Sequence, residues 1–165
     1  MDFSKLIKIF KKYSPPGDFK LFIKNGKLYW TNIRSAVLFS SDEIPLADGA
    51  YDFSLKLLEE DNDIPEKIEK MIERLTKEGV KIVYYPQIYL RRKPYTIYDG
   101  LMVKLAEHNI FIPLYVYNLM SKLIEDVDCF EVFSAGKSGA TLIKCKIDEN
   151  EYSKMLFLTA QVSID

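Results

Sequence analysis

Apolar residues recur along the chain with periods that change from segment to segment. Phe3, Leu6, Ile7 and Phe10 follow the i, i+3, i+4, i+7 spacing of one helix face. Lys5, Lys8, Lys11 and Lys12 take the other face. Ser14-Pro15-Pro16-Gly17 ends this helix, because proline cannot continue it and glycine frees the turn. A strand from Phe19 to Lys24 follows, then Asn25-Gly26, a pair suited to the positive φ angles of a type I′ hairpin turn. Folding about that turn places Ile23 against Leu28, Phe22 against Tyr29 and Leu21 against Trp30, so apolar residues meet apolar residues. A further strand covers Ser35 to Phe39, and Ser41 to Gly49 is a loop.

The pattern then becomes less regular. Tyr51 to Leu58 fits a strand or a helix equally, and Glu59-Glu60-Asp61-Asn62-Asp63 is an acidic connector. A second helix starts near Pro65, buries Ile68, Met71, Ile72 and Leu75, and stops at Gly79. Its alternating Glu66, Lys67, Glu69, Lys70, Glu73 and Arg74 read as a solvated face. From Val80 to Ile112 the chain is rich in β-branched and aromatic residues, which predicts short strands, with Asp99-Gly100 as a turn. Pro113 opens a third helix with Val116, Leu119, Met120, Leu123 and Ile124 inward. Cys129 to Ser134 and Ala140 to Ile147 form a second hairpin, and a last strand runs from about Ser153 to Val162.

Both ends of the chain therefore follow one plan: helix, hairpin, strand. The two hairpin turns lie 112 residues apart and the two helix stripes 113. Near-equal offsets in separate elements point to a diverged internal repeat, although helix-then-hairpin is also a common local arrangement.

Composition narrows the class. At 165 residues the chain suits a single α+β domain able to bury about two thirds of its surface without a metal or disulfide staple. With 48% hydrophobic residues it is no disordered chain. Twenty-three basic residues face 24 acidic ones, so any charged surface must arise by local sorting rather than by overall excess. The opening residues lack the apolar core of a signal peptide, and the apolar run from Ile110 to Met120 is too short to span a bilayer. Two cysteines make no disulfide framework. A cytoplasmic protein with reduced thiols and no membrane partner is the expectation.

Catalytic chemistry is poorly represented. His108 is the only histidine, so no paired-histidine metal site exists and no metal or other cofactor is expected. The second hairpin register sets Phe130 against Cys145, Val132 against Ile143 and Glu131 against Lys144, which leaves Cys129 and Cys145 on opposite faces rather than bridged. Gly136-Lys137-Ser138 lacks the upstream glycine and the following helix of a phosphate loop. Asp61/Asp63 and Asp126/Asp128 sit in polar connectors where nothing raises a pKa. The chain reads as a non-enzyme.

Two basic features remain. The lysine face of the first helix could meet phosphates without reading bases, or be an ordinary solvated face. Arg91, Arg92 and Lys93 lie among tyrosines from Tyr84 to Tyr98, a mixture that suits stacking on bases or a basic β-turn between packing strands.

Several motifs occur in a familiar order. Tyr98-Asp99-Gly100-Leu101-Met102-Val103-Lys104-Leu105, then Phe111-Ile112-Pro113, a Leu-bearing helix and an antiparallel hairpin resemble bacterial DNA polymerase sliding clamps. Asn25-Gly26-Lys27-Leu28, a strand, and Gly49 before an apolar segment resemble the early part of a clamp domain. The resemblance touches about two thirds of the chain. It implies a clamp-like α+β domain over 1–165, with two pseudo-repeated halves at about 1–58 and 98–165 and a helical insertion at about 59–97. It further implies that the helix bearing Lys5, Lys8, Lys11 and Lys12 and the helix bearing Asn118 and Lys122 face duplex DNA. The implied role is a non-enzymatic processivity or DNA-tethering factor that contacts DNA without regard to sequence and works with a DNA polymerase or another replication protein. Clamp rings contain six such domains, so this chain would form a homo-oligomer of six copies, act with another partner, or form no ring. The alternative expectation is an interaction protein of clamp-like fold, of viral or mobile-element kind, that binds a partner protein without DNA contact.

Overall fold

The Asn25-Gly26 pair makes the turn its sequence calls for, with φ of 50° and 75°. The computed structural model describes residues 2–14, 19–32, 34–59, 63–84, 95–97, 102–105, 110–124, 129–135 and 139–160. Strands β1 (Lys20–Lys24) and β2 (Lys27–Thr31) pair in the expected register, Ile23 with Leu28, Phe22 with Tyr29 and Leu21 with Trp30. β3 (Ser35–Ser40) adds to β2. The ambiguous segment resolves as two short strands, β4 (Gly49–Tyr51) and β5 (Leu57–Leu58). Between them Asp52 Oδ1 accepts N–H bonds from Ser54 and Lys56 at 2.9 Å each, and Leu55 takes φ of 64°. A leucine in that left-handed region is strained, and packing of Leu55 against the main core offsets the cost.

Helix α1 spans Phe3–Tyr13 and α2 spans Ile64–Glu78. β6 (Val80–Tyr84), β7 (Tyr95–Ile97), β8 (Met102–Leu105) and β9 (Ile110–Pro113) follow, then α3 (Leu114–Leu123). β10 (Cys129–Ser134), β11 (Ala140–Lys146) and β12 (Tyr152–Ala160) complete the described chain. The second hairpin keeps the expected register, Phe130 with Cys145, Glu131 with Lys144 and Val132 with Ile143. Both cysteines are buried.

Among the described residues nine strands form one antiparallel sheet in the order β5-β4-β1-β2-β3-β12-β11-β10-β6, and β7-β8-β9 form a separate small sheet. The two chain-terminal hairpin units thus join side by side through β3 and β12, with Val37 opposite Phe157. Segment 59–97 supplies both a helix and a strand of the large sheet, since β6 pairs with β10.

The sheet divides two cores. On one side α1 and α3 pack against each other and bury Leu6, Phe10, Val116, Leu119 and Met120 with Leu21, Trp30 and Phe157. Trp30 is the centre of this layer. Phe10 stacks on it at 5.1 Å and Phe19 at 5.6 Å, and Phe53 leans on it at 5.5 Å. Its indole N–H donates to the buried Ser14 hydroxyl at 2.9 Å, so the residue that ends α1 also fixes the tryptophan. On the other side α2 buries Ile68, Ile72 and Leu75 with Phe22, Tyr29, Leu38, Phe133 and Leu142. No helix among the described residues is long and apolar enough to cross a membrane.

Candidate nucleic-acid interface

Burial of Leu6, Ile7 and Phe10 turns Lys5, Lys8, Lys11 and Lys12 outward, and all four are exposed. α1 begins at Asp2, whose Oδ1 accepts the Ser4 N–H at 3.2 Å. Lys11 and Lys12 stand in the last turn, where a cation complements the helix dipole by about 0.3–1 kcal/mol. That local benefit does not extend to Lys8, and Lys5 stands in the first turn, where the dipole disfavours a cation. Helix stability therefore accounts for half of the row only.

α3 adds Lys122, exposed in its last turn, and Asn118, half-buried one turn earlier. The packing of the two helices brings their cations together. Lys12 Nζ lies 5.4 Å from the centre of the Tyr13 ring and Lys122 Nζ 5.6 Å from the same ring. Lys11 Nζ sits 5.5 Å from the Phe53 ring. Among the described residues none of these five lysines forms an ion pair. Two ammonium groups sharing one ring repel each other, and a bound anion relieves that repulsion.

Lysines on the opposite side are spent differently. Lys24 pairs with Glu66 at 2.5 Å, and Lys27 with Glu69 at 2.9 Å. Tyr29 donates its hydroxyl to Glu69 at 2.7 Å. Burial, followed by Glu69, raises the Tyr29 pKa, and the Lys24 hydrogen bond lowers that of Glu66. The α2 face expected to be merely solvated therefore uses Glu66 and Glu69 to hold the helix on the first hairpin. It does so because helix and hairpin lie one above the other, a relation between distant segments.

Among the described residues the one buried carboxylate is Glu131, 3% exposed. It faces Lys144 across the hairpin, as the register requires, but it pairs with Lys81 of β6 at 2.7 Å. Tyr152 donates its hydroxyl to it at 2.5 Å. Lys144 Nζ lies instead over Phe133 and Tyr152, at 5.4 and 5.6 Å. Burial pushes the Glu131 carboxyl up, yet the hydrogen bonds from Lys81 and Tyr152 outweigh it and hold the group below the usual carboxylate range. The Glu131 hydrogen bond, with burial behind it, pushes Tyr152 up to about 12. This is a closed, satisfied cluster that holds β6, β10 and β12 together. Among the described residues no group of His, Cys, Asp and Glu could hold a metal ion.

Arg91, Arg92 and Lys93 lie outside the described residues, as do His108 and the loop at 136–138. The sequence did not point to Tyr13 or Phe53 as partners of the lysines. Tyr13 carried no signal beyond its place next to Lys12, and Phe53 sits in the segment whose period was unreadable.

No family model matches the chain, and neither a curated protein nor a solved structure matches it.

Proposed function

We propose that the chain is a clamp-like, non-enzymatic domain that holds duplex DNA without reading its sequence, as a tethering or processivity factor for a polymerase or another replication protein. The observation that carries this reading is the pair of packed helices whose five lysines have no carboxylate partner among the described residues, while Lys24, Lys27 and Lys67 across the sheet are paired. Phosphates are the natural counter-charge for such a row, and their recognition needs no catalytic group.

The strand order favours the same reading. The first three strands after α1 and the three described strands after α3 are antiparallel meanders, and the two sets meet through their third strands, β3 and β12, with β4 and β5 extending the first set beyond β1. Antiparallel pairing of equivalent strands is what a local two-fold relation between repeats demands. Both helices preceding these sets lie on one side of the sheet, as DNA-facing helices must.

A second reading, a clamp-like interaction protein with no DNA contact, draws on β6. It is the last strand of the large sheet and exposes Val80 (68%) and Val83 (45%), apolar area suited to a protein partner.

Retention of duplex DNA at two salt concentrations separates the two. The wild-type protein is expected to lose affinity steeply with salt, each neutralised phosphate contributing about −0.9 to the slope of log affinity against log salt. Lys5/Lys8/Lys11/Lys12→Glu is expected to abolish binding at both concentrations while keeping the wild-type unfolding transition. Absence of wild-type binding at low salt overturns the DNA reading. Light scattering after gel filtration tests assembly, and a clean monomer overturns a six-copy ring.

A further inference from the structure

The sheet is underfilled beneath one end of α2. Cross-strand register sets Ala140 opposite Ala160 and Ala36 opposite Leu158, so three neighbouring strands present alanine on the α2 side. Elsewhere on this face α2 meets a cluster containing Phe22, Phe133 and Leu142. Protein interiors ordinarily fill such space to crystalline density. Here an open groove of about 450 Å³ remains, with Ala36, Ala140 and Leu158 as floor and Ile64, Ile68 and Met71 as roof. That volume falls within the range of small-molecule sites, and its walls are apolar as in those sites.

Arg34 lines the same groove and is exposed. Its backbone is fixed from two sides: its N–H donates to Asn32 Oδ1 at 2.8 Å and its carbonyl accepts the Ala160 N–H at 2.7 Å. Lys67, the other cation of the lining, pairs with Asp63 at 3.1 Å. The Arg34 guanidinium forms no ion pair among the described residues. An apolar slot is thus flanked by one uncompensated cation, and a guanidinium fork matches a carboxylate in two parallel hydrogen bonds.

We propose that this groove binds a free, single-chain aliphatic carboxylate, its hydrocarbon between α2 and the alanine floor and its carboxylate on Arg34. The site lies across the sheet from α1 and α3, so it stands or falls separately from the DNA reading.

Isothermal titration of the full chain with decanoate and with decanol, both below their aggregation concentrations, tests it. Decanoate is expected to bind roughly tenfold or more tightly than decanol, because a charge-assisted pair separates them. Arg34→Gln should remove that preference. Ala140→Phe, which fills the floor, should abolish decanoate binding, and Ala160→Trp serves the same purpose if the first variant unfolds. No binding of decanoate, equal binding of the two probes, or unchanged binding in a folded groove-filling variant overturns the proposal.

Discussion

The two sides of the large sheet spend the same kinds of residue in opposite ways. On the α2 side, Lys24 and Lys27 are tied to Glu66 and Glu69, and their charge goes into fixing a helix. On the α1/α3 side, Lys11, Lys12 and Lys122 sit over Tyr13 and Phe53, and these three with Lys5 and Lys8 form no ion pair among the described residues. Packing reverses in parallel. The lysine-covered side has an aromatic stack around Trp30, while the side with paired charges leaves a groove over three alanines. The tightly packed aromatic layer thus lies under the unpaired charge, and the looser packing under the paired charge.

The largest test of this contrast is Trp30→Ala. It removes the ring that Phe10, Phe19 and Phe53 share and strands the Ser14 hydroxyl, so urea unfolding should register a loss of about 3–5 kcal/mol. Ile68→Ala, on the roof of the groove, should cost less, about 2 kcal/mol, because its surroundings are already open. A similar loss from both sides would break the comparison.

Acid titration probes the buried pair. The Glu131 pKa is lowered in the fold, so its contribution is fully present above the ordinary carboxylate value near 4.5 and is lost as pH falls through the lower folded value. Stability should be insensitive to this group from pH 7 to about pH 5 and should decline below that. Glu131→Gln should flatten the decline, although Glu66, also lowered, retains its own share. Lys81→Met, which leaves the carboxylate buried without its cation, should cost about 1–2 kcal/mol at pH 7, discounted because Lys81 is half exposed.

The smallest expected effect is Lys24→Ala. Its partner Glu66 is exposed, and thermal unfolding should scarcely move. A large shift there would mean that the paired face carries more of the fold than its aromatic counterpart.

The local pieces were legible because their signals are short-ranged. Asn25-Gly26 and the matching of apolar partners gave both hairpin registers, and the Phe3–Phe10 and Ile68–Leu75 stripes gave two helices with their buried faces. Tyr51 to Leu58 resisted because its turn depends on Asp52 capping two N–H groups and on a leucine held at positive φ by tertiary packing. The pairing of β3 with β12, and of Lys81 with Glu131, depends on strand order across more than a hundred residues in one case and fifty in the other. Hydrophobic period carries no information about that order. The lysine row of α1 was visible from its spacing; its meeting with Lys122 over Tyr13 needed the two helices side by side.

The stack around Trp30 also has an optical consequence. It holds the single tryptophan of the chain, fully buried, hydrogen-bonded at its indole nitrogen and in contact with Phe53, on which Lys11 rests. Its emission is a built-in gauge for that surface. Any ligand that drew Lys11 away from Phe53 would perturb the light from within, with no dye attached and no other tryptophan to blur the signal.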